Sequence, residues 1–248
     1  MSDDLIRWRR DLHQIPELGF EEQETSRYLR DALETMGLDV EVHARTGLVA
    51  EIAGRGSGPR LALRADMDGL PLQEESGESF ASRHEGRMHA CGHDIHMAVL
   101  LGTAARLLKE RDFPGTVRLL FQPSEERRES GARAFIDEGL LKDIDGIIGL
   151  HVWSPLPVGT VGMRPGPMMA AADGFTITVR GRGGHGSEPE TAKDAVLIGS
   201  QIVVNLQQVV SRRVTPLEPC VVSVGTFQAG TASNIIAESA RISGTVRT

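Results

Sequence analysis

The densest group of side chains able to bind a metal ion lies in one short stretch before a predicted helix. His89, Cys91, His93 and His96 supply three imidazoles and one thiol there. Cys91 and His93 are two residues apart in a turn, so both can point into one cavity. A thiolate with an imidazole suits zinc, and manganese, cobalt or nickel can also be held. The alternative is an ordinary helix start, with Asp94 as its N-cap and small residues buried around it.

Two adjacent carboxylates, Glu125 and Glu126, follow the apolar stretch Thr116–Phe121, which is predicted to be a strand. In open α/β sheets, ligands bind at the carboxyl ends of strands. Adjacent carboxylates can diverge there, so that one binds metal and the other holds a water molecule. The alternative is a solvated acidic loop, because Arg127 and Arg128 come next.

Two further groups also follow predicted strands. His151 comes directly after an apolar run that begins at Gly146, and Asp66 with Asp68 follows the run Leu61–Ala65. Taken alone, His151 fits a core histidine with its hydrogen bonds satisfied. A purely structural sheet does not need four such groups at its strand ends, so together they favour one metal site at that edge.

The elements that must position these groups alternate between helix and strand. The patterns of apolar residues, glycines and turns predict these elements in chain order: helices Asp3–Gln14 and Glu21–Met36, strands Leu48–Ala53 and Leu61–Ala65, helix Asp94–Glu110, strand Thr116–Phe121, helix Ala132–Glu138 and strand Gly146–Leu150. Strands of continuous apolar character separated by helices predict an α/β fold with a mainly parallel sheet flanked by helices.

A second, smaller domain is predicted after the proline-rich segment Pro165–Met169. The order that follows is strand Phe175–Val179, helix Ala192–Val210 and two more strands, Cys220–Thr226 and Ala240–Val246, which predicts an α+β layer. The glycines of Gly181–Gly186 match G-x-G-x-x-G formally. A dinucleotide site is excluded because the next helix begins too late to receive a pyrophosphate.

Composition excludes several classes of protein. The 248 residues carry 27 Lys+Arg against 34 Asp+Glu, and without basic runs this acidic balance argues against binding to nucleic acid or to anionic membranes. The start of the chain has no apolar signal region, and no stretch approaches the ~18 apolar residues of a membrane span. Cys91 and Cys220 are far apart in unlike contexts. We therefore expect a cytoplasmic protein without a structural disulfide.

Seven motifs in order resemble the M20 metallopeptidase family, in the amidohydrolase branch that includes hippurate hydrolase and the plant auxin-amide hydrolases. The resemblance covers essentially the whole chain. It rests on LHQIPELGFEE (12–22), LRADMDGLPLQE (63–74), HACGHDIHMA (89–98), LLFQPSEE (119–126), GLHVW (149–153), GRGGHGSEPE (181–190) and SNIIAESARISGTVRT (233–248). One departure is Arg127-Arg128, where the family usually has a glycine-rich loop bordering the substrate pocket.

The resemblance implies a role for each matching residue. The family's ligands to two divalent ions match four residues: Cys91, His93, Glu126 and His151. Glu125 matches the general acid/base, and Asp66 matches an acid that orients a metal ligand. His185 matches a histidine that reaches the active site of a partner subunit and polarises the scissile carbonyl. Asn234 matches a polar contact to the substrate.

The resemblance also implies an activity and an organisation. Residues 1–167 are expected to form a zinc-peptidase-like catalytic domain, and residues 168–248 a ferredoxin-like lid through which the chain forms a homodimer. The expected reaction is metal-dependent hydrolysis of N-acyl amino acids, hippurate-like substrates included. The alternatives are a deacylase of a diaminopimelate- or cysteine-type intermediate and an inactive metal-binding or dimerising fragment. The family pattern predicts a continuation beyond Thr248 with one more histidine ligand.

Overall fold

The computed structural model describes residues 2–248, which form two compact units. The first unit ends at Pro157, and the second is Val158–Thr248. The boundary predicted from the sequence, between residues 167 and 168, falls inside the second unit, in the segment that precedes its first strand.

The first unit is built around a five-stranded sheet with the strand order β1-β2-β4-β3-β5. Its elements are α1 (Ser2–His13), α2 (Gln23–Thr35), β1 (Val40–His43), β2 (Gly47–Ala53), β3 (Arg60–Asp66), α3 (His93–Glu110), β4 (Thr116–Gln122), α4 (Gly131–Asp137) and β5 (Gly146–Gly149). Strand β3 pairs in parallel with β4 and β5, while β2 pairs antiparallel with β1 and β4. Four strands therefore run in one direction, and the predicted mainly parallel sheet is confirmed.

Alternating side chains of β4 show why helices cover both faces of this sheet. Leu119 and Phe121 are fully buried in the larger core, to which α1, α2 and α3 contribute. Leu120, between them, lies in a smaller core with Phe135 of α4. Because successive side chains of a strand point to opposite faces, an apolar run such as that of β4 needs a cover on each side.

The parallel register aligns the carboxyl ends of the three strands on one edge. Asp66 at the end of β3 lies opposite Gln122 at the end of β4, and Arg64 lies opposite Gly149 at the end of β5. The segments that leave these strands therefore start close together.

The second unit is an antiparallel sheet with one long helix. Its elements are β6 (Ala172–Arg180), β7 (Gly184–His185), a 3₁₀ turn (Pro189–Thr191), α5 (Ala195–Arg213), β8 (Val221–Ala229), β9 (Ile235–Ile236) and β10 (Ser239–Arg247). The order is β6-β10-β8, and β7 pairs with β9 separately. Val179, Ala195, Ala240 and Ile242 form its core. The predicted α+β character is confirmed.

The predicted elements recur with shifted ends, and three strands are additional. Strand β1 contains only four residues, and its pairing with β2 follows a turn with left-handed residues at Ala44 and Arg45. The strands β7 and β9 contain two residues each, too few for a periodic pattern. No helix within residues 2–248 has the length and apolar character that crossing a membrane requires.

Candidate metal centre

Six of the predicted site residues meet at the carboxyl edge of the first unit's sheet. Among residues 2–248, three groups of side chains bring their ligand atoms within 4.8 Å of one another: Cys91, His93 and His151; His93, Glu125 and Glu126; and Asp66, His93 and His96. His93 belongs to all three groups. It is therefore the centre of the site.

His93 is held so that one ring nitrogen stays available. It is the first residue of α3 and is 1% exposed. Its Nδ1 lies 2.8 Å from the carbonyl oxygen of Asp68 and donates to it, so Nε2 faces the site. That Nε2 is buried and makes no hydrogen bond within the described residues. A buried polar atom without a partner is costly, and a metal ion would satisfy it.

The charge around His93 favours a cation at that position. Burial alone would lower its pKa, but the neighbouring Asp68, Cys91 and Asp66 outweigh burial and raise the pKa of His93 to about 11. The same negative surroundings that retain a proton on Nε2 would attract a divalent ion in its place. The donor set therefore fits a metal.

Cys91 and His151 form one side of the centre. The Sγ of Cys91 lies 3.3 Å from Nε2 of His151. His151 donates from Nδ1 to the carbonyl oxygen of Val152 at 2.7 Å, which directs Nε2 toward the sulfur. A thiolate and two imidazoles are ligands that zinc and related divalent ions accept.

Glu125 and Glu126 form the other side. The Nε2 of His93 is 4.0 Å from Oε2 of Glu125 and 3.9 Å from Oε1 of Glu126. Burial, and then the charge of Glu126, raise the pKa of Glu125. A carboxyl whose pKa lies closer to neutrality is better suited to take up and return a proton.

A buried carboxylate that sequence analysis did not identify fixes the turn before Glu125. Ser124 has a left-handed φ of 48°, and its N–H donates to Oε1 of Glu22 at 2.8 Å. The Oε2 of Glu22 accepts from Oγ1 of Thr46 at 2.6 Å, and Glu22 is fully buried. A Cβ on Gly19 would lie 2.6 Å from Oγ of Ser124. The end of the motif at residues 12–22 thus supports the turn that carries Glu125. In the sequence, only the adjacent acids Glu21 and Glu22 at the end of this motif point to such a role.

Two aspartates, Asp66 at the end of β3 and Asp68 just beyond it, act on different parts of the centre. Asp66 is 1% exposed and accepts from Arg64 at 2.7 Å and from His96 at 2.6 Å. Burial would raise its pKa, but His96, His93 and Arg64 together lower it, so Asp66 is ionised. Asp68 accepts the N–H of Glu126 through Oδ2 at 2.9 Å. It therefore joins the turn of the two glutamates to His93, a role that sequence analysis did not assign.

A second buried network lies behind the start of α3. His13 is 4% exposed, and its ring nitrogens lie 2.8 Å from Oδ2 of Asp94 and 3.1 Å from Oε1 of Glu74. Hydrogen bonding to Asp94 raises the pKa of His13. Arg9 also reaches Asp94, at 2.9 Å. The sequence offered no partner for His13, which here anchors the residue that follows His93.

The remaining two predicted site residues belong to the second unit, where they are neighbours. His185 is on β7, and the N–H of Gly186 donates to the carbonyl oxygen of Asn234 at 2.9 Å. The N–H of Ser187 donates to Nδ1 of His185 at 3.2 Å, and the Oγ of Ser187 lies 2.7 Å from the same nitrogen. Because Nδ1 accepts, the ring proton of neutral His185 lies on Nε2.

A comparison with protein families finds a match over most of the chain. A family model described as Peptidase family M20/M25/M40 matches residues 62–244. The matched region contains every predicted site residue of both units.

Curated relatives cover the whole chain. An N-acyl-L-amino acid amidohydrolase of Geobacillus stearothermophilus is 48% identical over 250 residues, which are 100% of this chain and 68% of the relative. An N-acetylcysteine deacetylase of Bacillus subtilis is 46% identical over 98% of this chain and 65% of its own length. The chain thus spans about two thirds of the length of these relatives.

A solved structure gives the same result for the fold. A Bacillus subtilis protein, described as a dinuclear metal binding peptidase from the M20 family, superimposes with a TM-score of 0.81 and 42% identity over 98% of this chain and 63% of that one. The expected family resemblance is confirmed. The chain belongs to peptidase family M20/M25/M40, a family of hydrolases.

Proposed function

We propose that this protein hydrolyses the amide bond of N-acyl amino acids with two divalent metal ions held by Cys91, His93, Glu126 and His151. The observation that carries the proposal is the buried, unpartnered Nε2 of His93. It faces the Cys91–His151 pair on one side and the two glutamates on the other. The name of the Geobacillus relative supports the reaction class, and the description of the Bacillus structure supports a dinuclear site.

The side chains of the first unit have different roles in the proposed hydrolysis. Bound divalent ions would polarise the amide carbonyl and lower the pKa of the attacking water. Glu125 takes the proton of that water on its carboxylate and returns it to the leaving amine nitrogen. Its raised pKa suits both transfers. Asp68, which accepts the N–H of Glu126, holds the turn that brings both carboxylates near Nε2 of His93.

The second unit supplies the remaining polar groups in this proposal. His185 donates from Nε2 to the oxyanion that forms on the scissile carbonyl, in the active site of a partner subunit, and Asn234 contacts the substrate. The tautomer fixed by Ser187 supports this role because it places the proton on Nε2.

A homodimer through the second unit completes the proposal. Exposed apolar side chains on helix α5 support such a contact: Val196, Leu197, Ile198, Val204 and Val209. Light scattering, which measures the mass of the particle in solution, distinguishes a dimer from a monomer.

The substrate is an N-acyl amino acid, hippurate-like compounds included, and the products are a carboxylic acid and a free amino acid. A second candidate is deacetylation of an N-acetylated cysteine- or diaminopimelate-type compound. The name of the Bacillus subtilis deacetylase supports the cysteine form. Hydrolysis rates for benzoyl-glycine, N-acetylcysteine and N-acetyldiaminopimelate, each measured with zinc, manganese, cobalt or nickel, separate these possibilities.

The central test compares three glutamates of one loop. Glu125→Gln is expected to lower kcat by about 10²- to 10⁴-fold while metal content stays at the wild-type level, because it removes only the proton acceptor. Glu126→Gln, in contrast, is expected to lower both kcat and metal content, because Glu126 is a proposed metal ligand. Glu129→Gln is the control, since Glu129 is exposed and pairs with Arg45 at the surface. Full activity of Glu125→Gln would contradict the mechanism. A wild-type chain that holds fewer than two tightly bound metal ions and does not turn over substrate would favour an inactive metal-binding or dimerising fragment.

A further inference from the structure

His96 lies inside the candidate centre, yet its hydrogen bonds differ from those of His93. Its side chain is 1% exposed, and its ligand atoms lie close enough to Asp66 and His93 to count among possible metal ligands. Both of its ring nitrogens are already engaged. Nδ1 lies 2.6 Å from Oδ1 of Asp66, and Nε2 lies 3.0 Å from the backbone nitrogen of Val152.

The contact with Val152 decides the tautomer. A backbone N–H can only donate, so Nε2 of His96 must be the acceptor. The ring proton therefore lies on Nδ1 and is donated to Asp66. Neither nitrogen of His96 has a lone pair left for a metal ion, whereas Nε2 of His93 makes no hydrogen bond within the described residues.

The peptide that His96 holds belongs to the His151 loop. His151 donates from Nδ1 to the carbonyl oxygen of Val152, and its ring packs edge-on against His96 with centroids 4.7 Å apart. Val152 also packs against the Cys91–His93 turn, because a Cβ on Gly92 would lie 2.5 Å from its Cγ2. Val152 is therefore fixed by a hydrogen bond from one side and by close packing from the other.

This fixation matters because the loop has little other support. Strand β5 ends at Gly149, and the side chain of His151 is exposed. The only described hydrogen bond from the Val152 amide is the one to His96. Orientation of the His151 ring toward Cys91 thus depends on a peptide that His96 and Asp66 hold in place.

We infer that His96 is a positioning residue that sets the His151 loop against Cys91, and that it is not a metal ligand itself. The inference rests on the proposed metal site of Cys91 and His151. A continuous chain of hydrogen bonds then runs from Asp66 through His96 and the Val152 peptide to the ring of His151.

Two substitutions of His96 separate its two hydrogen bonds. The amide of His96→Asn reaches the Nδ1 position and can still donate to Asp66, but it cannot accept from Val152. The oxygen of His96→Gln reaches the Nε2 position and can accept from Val152. Titration of the full chain with Co²⁺ alone, read from the thiolate-to-cobalt absorption band, reports the Cys91–His151 side. We expect about 10-fold or more weaker Co²⁺ binding for His96→Asn, and a smaller loss for His96→Gln.

A second pair of variants approaches the same bond from the loop. Val152→Pro removes the N–H, and Val152→Ala, its matched control, keeps it. Val152→Pro is expected to weaken Co²⁺ binding as His96→Asn does, and combining the two should add little further loss, because both remove one interaction. If His96→Asn does not fold, the Val152 pair alone decides the question.

The outcomes distinguish this inference from the proposed function. Equal losses in His96→Asn and His96→Gln, no loss in either, or additive losses with Val152→Pro would overturn the positioning role. Faster hydrogen exchange of the Val152 amide in His96→Asn, measured without added metal, would support it, and unchanged exchange would overturn it. A wild-type chain that gives no thiolate band would instead refute the Cys91 site, and the exchange experiment still decides the role of His96.

Discussion

Replacing Glu22 tests whether a carboxylate remote in sequence holds the turn that carries Glu125. Glu22→Ala removes the acceptor for the N–H of Ser124 and for the hydroxyl of Thr46, and both of these residues are buried. A hydrogen bond to a charged group contributes about 1.5–3 kcal/mol, so the loss of two is expected to cost about 3–6 kcal/mol. This is a large share of the ~5–15 kcal/mol that stabilises a typical domain.

Glu22→Gln is the matched control. Its oxygen can accept from Ser124 while its amide donates to the Thr46 hydroxyl, which rotates to accept. We therefore expect a cost below about 1 kcal/mol at neutral pH. Urea unfolding, followed by the fluorescence of buried Trp8, measures the free energy of unfolding for each variant. A cost for Glu22→Ala below about 1 kcal/mol, or equal costs for both variants, would refute the reasoning.

The pH dependence of the same pair gives a second check. Burial raises the pKa of Glu22 in the folded protein above its unfolded value of about 4.3. The folded state therefore binds this proton more tightly, and the stability of the wild type relative to Glu22→Gln falls as pH rises from the unfolded pKa through the folded one. Above that window the difference stays constant. A difference that rises with pH would contradict the assignment.

Two further predictions concern the residues around His93. Gly92→Ala should weaken Co²⁺ binding, because it places a Cβ at a φ of 89° and 2.5 Å from Cγ2 of Val152. Gly86→Ala is the control, since Gly86 has a φ of 68° but open space around it. It should cost about 1–2 kcal/mol of stability and leave Co²⁺ binding unchanged. Hydrogen bonding to Asp94 raises the pKa of His13, so the stability this contact provides is present below about pH 6.5 and is lost as pH rises through the folded pKa. Urea midpoints of the wild type should therefore fall across that range relative to His13→Gln, and parallel midpoints would argue against the contact.

The sequence predicts which candidate residues lie close together where a residue type and a strand end coincide. Cys91 and His93 precede a helix, and Glu125 and His151 follow apolar strands, so the rule that ligands meet at carboxyl ends places them together without a structure. The alternation of helix and strand predicts the sheet for the same reason. The antiparallel orientation of β2 relative to β1 and β4 is not predictable in this way, because a pattern of apolar residues does not show in which direction a strand runs.

The supporting residues are the part that sequence alone could not supply. Glu22 contacts a backbone amide 102 residues away, and His96 contacts one 56 residues away. Because every residue other than proline has a backbone N–H, the residue types at the partner positions do not reveal that Glu22 and His96 bind there. The tautomer of His96 is decided by such a backbone partner, which is why composition alone could not separate it from His93.

The parallel pairing of β3 with β4 and β5 has a consequence for how the chain folds. Two parallel strands cannot be joined by a tight hairpin, so a long segment of chain must connect them. Bringing the ends of that segment together costs conformational entropy before the strands gain any contact. The groups around His93 come from three such strand ends, and they meet only after both crossovers are closed. We therefore expect the centre to be absent from early folding intermediates. Added metal should slow unfolding much more than it accelerates refolding.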